Sequence, residues 1–431
     1  MTDNTGKADK KQIFGWVMYD FANSAYTTLV VTFIYGTYFV SAIASDKISG
    51  TVLWSRAITI TALCVALLSP ILGALADQGG LRKKFLFLST LITIIATSVL
   101  HFIMPGQVFT ALAWFVVSNI AYELGYVFYN AFLPDISTQK NIGRISGIGW
   151  GVGYIGGLGA MFIAMAGFIS PELPWFGLSK EAGANIRATN LLVALWFALF
   201  SIPLFLFVKS KASVTKRSTG EIVKKGVADL MTTFQEIRNY REIVKLLIAR
   251  MIYNDGLVTI FAFGGIYAAG TFGFSFQEIM IFGIGLNLAA GTGALIMGIF
   301  DDKLGGKKTI QISNVVLALA TLLAVFAPNK TFFWVAGILV GFFAGPNQSA
   351  SRSLMGRFVP KEKENQFFGF FAFSGKLTAF FGPLFLGFLT QIFDSQRAGI
   401  SVVILFFVVG GLLLTRVDEG AGIAGGGIQS S

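Results

Sequence analysis

One eleven-residue pattern occurs twice in the chain, and it constrains the fold more than any other feature. The first copy runs from Gly73 to Lys83 and the second from Gly298 to Lys308, so that corresponding residues lie 225 positions apart. Each copy falls between two long apolar runs, in a chain of 431 residues of which 54% are hydrophobic and only 13% charged. This spacing predicts a duplicated chain whose repeated unit is a set of membrane helices.

Twelve apolar stretches are long enough to cross a bilayer, because a hydrocarbon core of about 30 Å needs about 20 helical residues. We number them in chain order as the first to twelfth spans. Their predicted ranges are 14–43, 51–76, 84–104, 107–133, 145–169, 188–208, 243–269, 277–300, 308–327, 331–355, 366–393 and 397–416. The predicted fold class is an all-α polytopic membrane protein, with twelve transmembrane helices in two pseudo-symmetric six-helix bundles.

The chain divides into five predicted parts. An N-terminal segment covers residues 1–13, the two bundles cover 14–208 and 243–416, and a linker with the pattern of an amphipathic helix covers 209–242. A disordered tether is the alternative for this linker. The Gly-rich residues 417–431 are predicted to be a disordered tail. Most of the 33 Lys and Arg residues fall on one side of the spans, so the positive-inside rule predicts that both termini are cytoplasmic.

The repeated pattern follows the second and eighth spans, and there it resembles the loop signature of the major facilitator superfamily. Residues 16–26 (WVMYDFANSAY) and 368–376 (FGFFAFSGK) are similar to the branch that holds the fungal autophagy-related vacuolar amino-acid effluxers and their bacterial relatives. This resemblance implies the major facilitator fold and a secondary transporter that moves a small solute by alternating access, with an amino acid as the expected cargo. It also implies a multi-pass protein of the bacterial inner (plasma) membrane.

The repeated pattern also has a physical interpretation. Its glycines permit close packing and tight turns, while its aspartates are suited to cap helices or to pair with basic neighbours. Such pairing at the cytoplasmic mouth would hold one state of a two-state carrier closed, and simple turn chemistry is the alternative. The second copy has an additional aspartate at position 301, so the two latches are expected to differ in strength. The predicted gating residues are Gly73, Asp77, Gly80, Arg82, Lys83, Gly298, Asp302, Gly305, Lys307 and Lys308.

Ionisable residues inside the spans are costly in lipid and usually face a cavity. Counting residues from the inner ends of the spans predicts that Asp20, Glu123, Arg250 and Lys376 lie at a similar depth. Their cations would hold a substrate carboxylate, while one of their acids would receive an amino group or a proton. Structural ion pairs, Asp20 with Lys376 or Glu123 with Arg250, are the alternative. The predicted substrate- or proton-binding residues are Asp20, Asn23, Asn119, Glu123, Arg250, Asn254, Asp255 and Lys376.

Two glycine features in the spans predict local geometry. The glycine-rich residues 149–157 of the fifth span are expected to permit close helix packing rather than to bind a nucleotide, because they lie inside an apolar run. Gly382 and Pro383 are expected to bend the eleventh span.

Several function classes find no support in the sequence. The chain has one Cys and one His, and it lacks a Walker A pattern, so we expect no enzyme activity, no cofactor and no metal. Scattered basic residues argue against nucleic-acid binding. The expected partners are a small-molecule substrate, protons and the lipid bilayer, and the expected state is a monomer. The alternatives are a lipid or amphiphile transporter of the same fold and a non-transporting membrane sensor or scaffold.

Overall fold

The computed structural model describes residues 9–209, 219–235 and 237–426. These residues are mostly helical and contain no β-strand, which confirms the all-α fold class. Eleven segments of this described part are long and apolar enough to cross a membrane. They are Lys10–Ile43, Val52–Gln78, Arg82–Phe102, Val108–Ile136, Ile142–Ile169, Glu181–Phe207, Arg241–Phe272, Ile281–Leu304, Gly306–Phe326, Glu364–Phe393 and Gln396–Thr415.

The predicted tenth span is the helix Lys330–Phe358, which has 29 residues. At 1.5 Å per residue it is about 44 Å long, enough to cross a bilayer. This helix is not among the eleven segments above because it carries several polar residues. These residues are buried inside the bundle. Asn347, for example, is 1% exposed and donates a hydrogen bond to Asn314 of the ninth span over 2.8 Å. With this helix, the described residues contain the twelve predicted spans.

The eleventh span is interrupted rather than bent. One helix, Glu364–Leu377, ends before three non-helical residues, and a second helix, Phe381–Phe393, follows them. The predicted position of the distortion, at Gly382 and Pro383, is therefore a few residues too late. Pro383 lies in the first turn of the second helix, where a missing N–H breaks no intrahelical hydrogen bond.

The hydrophobic core follows the two halves of the chain. Two clusters of buried side chains contain residues of the first six spans, and a third is built almost entirely from the last six. Trp16 and Tyr19 stack on Tyr129 in the first half, with ring centroids 4.7 and 4.9 Å apart. In the second half Phe282 stacks on Phe333 at 5.1 Å. Aromatic packing therefore stabilises each half from within.

The halves meet along two seams, where the second span packs against the eleventh and the fifth against the eighth. Small residues bring these helices together. A side chain on Gly147 would lie 3.0 Å from Gly298 Cα across the second seam, and one on Gly156 would lie 2.9 Å from Phe21 Cα of the first span. The predicted close-packing role of the glycine-rich fifth span is confirmed.

The linker contains the helix Thr219–Gln235, which packs against the second span. Gln78 at the end of that span donates a hydrogen bond to Asp229 of this helix. Val227 and Met231 are 44% and 59% exposed on its surface. Residues 210–218 and 236 of the predicted linker lie outside the described residues.

The prediction of a disordered tail is wrong for residues 417–426. Val417 is 1% exposed, and Glu419–Gly426 forms a short helix. The carboxylate of Glu419 accepts hydrogen bonds from the backbone N–H groups of Gly306 and Lys307, over 2.9 and 3.2 Å, at the start of the ninth span. The Gly-rich composition predicts disorder because composition carries no information about long-range contacts such as this one. Residues 427–431 and 1–8 lie outside the described residues.

Candidate functional site

The first copy of the repeated pattern caps a helix of the other half. Asp77 lies at the end of the second span, and its carboxylate faces the start of the eleventh. It accepts hydrogen bonds from the backbone N–H of Asn365 at 3.1 Å, from the Asn365 side chain at 2.6 Å and from the backbone N–H of Gln366 at 2.8 Å. A carboxylate at this place satisfies free N–H groups and complements the helix dipole.

Two basic residues complete this first copy. Arg82 lies 2.5 Å from Asp135 of its own half and 3.1 Å from Glu364 of the other half. The guanidinium is nearly buried, which makes these charge-assisted bonds less screened than surface pairs. Lys83 donates a hydrogen bond to the carbonyl of Val208 over 2.7 Å and so stays within the first half.

The second copy repeats this capping in the opposite direction. Asp302 accepts hydrogen bonds from the backbone N–H groups of Gly143 and Arg144, over 2.8 and 3.2 Å, at the start of the fifth span. Each half therefore supplies an aspartate to a helix of the other half. Lys307 instead donates to a backbone carbonyl at the end of the twelfth span over 3.0 Å, and Lys308 is exposed.

The glycines of both copies serve geometry. Gly80 and Gly305 have φ values of 58° and 91°, a region that side chains disfavour. A side chain on Gly73 would collide with the Asn365 carbonyl of the eleventh span, and one on Gly298 would lie 3.0 Å from the Gly143 carbonyl oxygen of the fifth. The sides of the protein can now be named: the motif side is the face at which both copies lie.

The extra aspartate of the second copy binds an arginine that the sequence analysis did not select. Asp301 is 1% exposed, lies 2.6 Å from Arg357 of the tenth span and accepts a hydrogen bond from Ser353. Arg357 also lies 3.7 Å from Glu419. All four residues belong to the second half, so this network braces that half rather than joining the two.

A second missed arginine binds Asp20. Arg352 of the tenth span is 1% exposed and lies 3.0 Å from the Asp20 carboxylate. It donates further hydrogen bonds to Asn130 at 3.3 Å and to the Ser146 hydroxyl and carbonyl at 2.9 and 2.7 Å. Its guanidinium carbon lies 4.7 Å from the ring centroid of Trp16, at cation–π distance. This arginine thus joins one helix of the second half to three of the first.

Glu123 and Lys376 form another ion pair between the halves. The Lys376 ammonium donates a hydrogen bond to Glu123 Oε1 over 2.6 Å, from the eleventh span to the fourth. The Lys376 side chain keeps 31% of its surface exposed, and the Glu123 side chain keeps 21%. Asp20 and Arg352 keep only 5% and 2%. The first pair is therefore accessible, whereas the second is sealed.

Arg250 is a buried cation of the seventh span. It donates to the carbonyl of Phe371 at 2.8 Å and to the hydroxyl of Ser374 at 3.0 Å, and its guanidinium carbon lies 3.7 Å from the Phe371 ring centroid. No carboxylate of the described residues lies within 4.0 Å of it. A side chain on Gly375 would come within 2.7 Å of this guanidinium, so the cation lies beside the residue that precedes Lys376.

The remaining predicted polar residues are also buried. Asn23 and Asn119 are 2% and 6% exposed, and the Asn23 side-chain nitrogen has no hydrogen-bond partner. Asn254 donates to the carbonyl of Gly375 over 3.3 Å. Asp255 is 1% exposed and accepts a hydrogen bond from Thr378.

The structure pairs the predicted charges differently from both suggested ion pairs. Asp20 binds Arg352 rather than Lys376, and Glu123 binds Lys376 rather than Arg250. Arg352 is absent from the predicted site because it lies only three residues from the predicted end of the tenth span, where a basic residue is expected to face the cytoplasm. The helix in fact continues to Phe358. The polar run from Asn347 to Ser353 was the available signal that this segment faces protein.

The bonds between the halves show which side is closed. Within the described residues, the hydrogen bonds and ion pairs that join the halves lie between the middle of the spans and the motif side. Besides those above, Ser69 donates to the Gly369 carbonyl over 3.0 Å, and Ser146 donates to the Ser349 carbonyl over 2.7 Å. The protein is therefore in a state that is closed on the motif side.

Solved structures of low sequence identity share this fold. The human organic anion transporter MFSD10 (TETRAN) superposes with a TM-score of 0.72 at 14% identity, over 94% of this chain and 99% of that one. The proton:xylose symporter XylE, a major facilitator superfamily protein bound to 6-bromo-6-deoxy-D-glucose, gives 0.70 at 13% identity, over 96% and 95%. The fold is that of the major facilitator superfamily, and the chain is an integral, multi-pass membrane protein.

The sequence relatives narrow this class to a family. The family model described as "Vacuole effluxer Atg22 like" matches residues 38–425. The uncharacterized MFS-type transporter YxiO of Bacillus subtilis is 30% identical over 412 residues, which are 95% of both chains. Autophagy-related protein 22 of Yarrowia lipolytica is 23% identical over 70% of this chain, which spans 55% of that protein. The chain belongs to the vacuole effluxer Atg22-like family, a family of secondary transporters within the major facilitator superfamily.

Proposed function

We propose that this protein transports a small zwitterion of the amino-acid type, which binds between the halves at Glu123 and Lys376. The observation that carries the proposal is the exposure of this pair. It bridges the halves in the middle of the spans, yet its side chains remain 21% and 31% exposed, whereas Asp20 and Arg352 are sealed. An accessible ion pair is one that a charged cargo can enter.

The chemistry of the pair matches both ends of a zwitterion. An α-ammonium group can replace Lys376 at the Glu123 carboxylate, and an α-carboxylate can replace Glu123 at Lys376. Each charge of the pair then keeps a partner, which avoids the cost of an unpaired charge inside the membrane. Arg250 lies beside Gly375 and supplies a second cation for the carboxylate. Its planar guanidinium is suited to bidentate binding.

Cargo exchange at this pair also supports alternating access. The Glu123–Lys376 bond joins the fourth and eleventh spans, so a cargo that separates it removes one of the contacts that hold the present state. Protonation of Glu123 would release Lys376 in the same way. Proton coupling through Glu123 is therefore part of the proposal, and the accessible carboxylate supports it.

The positive-inside rule supports a cytoplasmic location for the motif side and both termini. In that orientation, within a bacterial inner membrane, the present state opens away from the cytoplasm. We further propose that the monomer is the transporting unit, because each half supplies the helix cap that the other half needs.

The proposal is tested with purified protein in liposomes. Uptake of labelled amino acids is measured with and without a pH gradient for the wild type, Glu123→Gln, Lys376→Met and the control Glu278→Gln. Glu278 is matched in chemistry but lies outside the candidate site, where it pairs with Lys330 at 2.8 Å. Correct folding of each variant is checked by thermal unfolding.

We expect uptake by the wild type and the control, and a loss of at least about 10-fold, or about 1.4 kcal/mol, in the two site variants, since each leaves one charge inside the membrane without its partner. Loss of the pH-gradient effect in Glu123→Gln alone would support its role in proton coupling. Folded Glu123→Gln and Lys376→Met proteins that transport as well as the wild type would overturn the proposal. Uptake of a labelled lipid in the same assay tests the amphiphile alternative.

A further inference from the structure

Asp255 is a carboxylate without a counter-charge inside the seventh span. It is 1% exposed. Its Oδ1 accepts a hydrogen bond from the Thr378 hydroxyl over 3.1 Å, and its Oδ2 has no hydrogen-bond partner. Within the described part of the chain, no Lys, Arg or His lies within 4.0 Å of it. An isolated carboxylate at such a place is costly unless something neutralises it.

The cations on neighbouring helices are already engaged. Arg250, on the same helix, donates to the carbonyl of Phe371 and to the hydroxyl of Ser374. Lys376 of the eleventh span binds Glu123, and Arg352 of the tenth span binds Asp20. The twelfth-span helix, Gln396–Thr415, carries a single charged residue, Arg397, whose guanidinium donates to the carbonyls of Val325 and Ala327. None of these groups neutralises Asp255.

The interruption of the eleventh span lies against this carboxylate. The helix Glu364–Leu377 ends there, and Thr378, the residue that follows it, donates to Asp255. The last carbonyls of a helix lack intrahelical partners, and they carry the negative end of the helix dipole. Gly382, in the first turn of the next helix, packs closely on the seventh span: a side chain there would collide with the Thr259 hydroxyl, which donates a hydrogen bond to the Asp255 backbone carbonyl. The neighbourhood thus offers the Asp255 carboxylate, the Thr378 hydroxyl and the carbonyls at the end of the helix. All of these groups present oxygen atoms as possible ligands.

We propose that Asp255, Thr378 and the carbonyl end of the helix Glu364–Leu377 form a binding site for a small monovalent cation, Na⁺ or a proton. One positive charge balances the Asp255 carboxylate. Hard cations prefer oxygen ligands, which this neighbourhood supplies. Half-helix C-terminal ends at membrane depth are suited to this task. The site is distinct from the Glu123–Lys376 pair, which has its own counter-charges.

The position of this site gives a bound cation a mechanical consequence. The helix that ends at Thr378 also carries Lys376, and Asn254, the neighbour of Asp255, donates to the carbonyl of Gly375. A cation that holds the interruption against the seventh span therefore fixes the helix that presents Lys376 to the cargo. Cation occupancy and cargo binding are linked through this one helix end.

The test is thermal unfolding of the purified, cargo-free protein in detergent. One arm titrates NaCl against choline chloride at constant ionic strength and mildly alkaline pH. The other arm varies pH from mildly alkaline to mildly acidic in sodium-free buffer. A cation that binds only the folded state raises the free energy of unfolding by RT ln(1 + [cation]/Kd), so the midpoint rises once the cation concentration exceeds Kd. The variants are Asp255→Asn, Thr378→Val and, as the matched acid-to-amide control, Glu278→Gln on the protein surface.

For a sodium site, we expect the midpoint to rise with Na⁺ concentration in the wild type and in the control and not in Asp255→Asn, and we expect Thr378→Val to need about 10-fold or more Na⁺ for the same rise. For a proton site, we expect stabilisation on acidification that Asp255→Asn lacks and the control keeps. A wild type that shows neither response, or an Asp255→Asn protein that keeps the response, overturns the proposal. If Asp255→Asn does not fold, an unchanged response in Thr378→Val overturns the proposal.

These measurements need no cargo and no transport. Their failure therefore leaves the zwitterion proposal intact, and a failure of the uptake assay leaves the cation site intact.

Discussion

Arg352 is fully buried, so its energetics depend on the groups that surround it. Asp20 supplies the one carboxylate within 4.0 Å among the described residues, while Asn130 and Ser146 supply neutral acceptors. Trp16 supplies the face of an aromatic ring. Every hydrogen bond of this guanidinium within the described residues goes to the other half of the molecule. In this state Asp20 is therefore sealed in an ion pair between the halves.

Replacing Asp20 by Asn is expected to destabilise the protein. The change leaves the Arg352 cation buried without a counter-charge, which typically costs about 3–5 kcal/mol. The measurement is the free energy of unfolding, or the thermal midpoint, in detergent. The double variant Asp20→Asn with Arg352→Met removes the stranded charge and is expected to recover part of the loss. An Asp20→Asn protein as stable as the wild type would contradict the importance of this pair.

At the scale of helices, the two copies of the repeated pattern contribute unequally to closure. Asp77 accepts three hydrogen bonds from the eleventh span, and Arg82 adds an ion pair with Glu364 across the same seam. Asp302 accepts only two backbone hydrogen bonds from the fifth span. The further contacts of the second copy, between Asp301 and Arg357, stay within one half. The first copy should therefore hold the closed state more strongly.

This inequality predicts different effects of Asp77→Ala and Asp302→Ala. Loss of a helix cap typically costs about 1 kcal/mol, or roughly a fivefold change in an equilibrium. The readout is labelling of a cysteine at the buried Ser349 by a thiol reagent, in a background where Cys64, the chain's one cysteine, is replaced by Ala. We expect labelling to accelerate in both variants, and more in Asp77→Ala. Equal acceleration, or none, would contradict the unequal-latch interpretation.

The elements of the fold were more predictable than their contacts. Apolar length located the spans, and the duplicated motif placed Asp77 and Asp302 at one end of the bundle. Pairing across the halves was not predictable, because the Asp20–Arg352 contact joins residues 332 positions apart and leaves no mark on local periodicity. The interruption after Leu377 was not predictable from the sequence for the same reason. Pro383 predicts a bend at its own position, whereas the break lies earlier, where Thr378 donates a hydrogen bond to Asp255.

For the whole molecule, the charged contacts form successive layers from the motif side to the middle of the spans. The caps at Asp77 and Asp302 lie outermost, the sealed Asp20–Arg352 pair follows, and the partly exposed Glu123–Lys376 pair comes last. A carrier with this arrangement must replace the free energy of the outer layers by contacts on the opposite side when it changes state. A cargo can shift that equilibrium only by as much as it binds one state better than the other.

The layering and the charge asymmetry together predict the direction in which this state opens. Two single-cysteine proteins test it in the Cys64→Ala background: Lys303→Cys on the motif side and Glu172→Cys between the fifth and sixth spans, both at exposed positions. If the positive-inside rule holds, a membrane-impermeant thiol reagent labels Glu172→Cys in intact cells. It labels Lys303→Cys only in inverted vesicles. The closed motif side would then face the cytoplasm, and Glu123 and Lys376 would be reached from outside. The reverse pattern would place the closed side outside and make the present state inward-open.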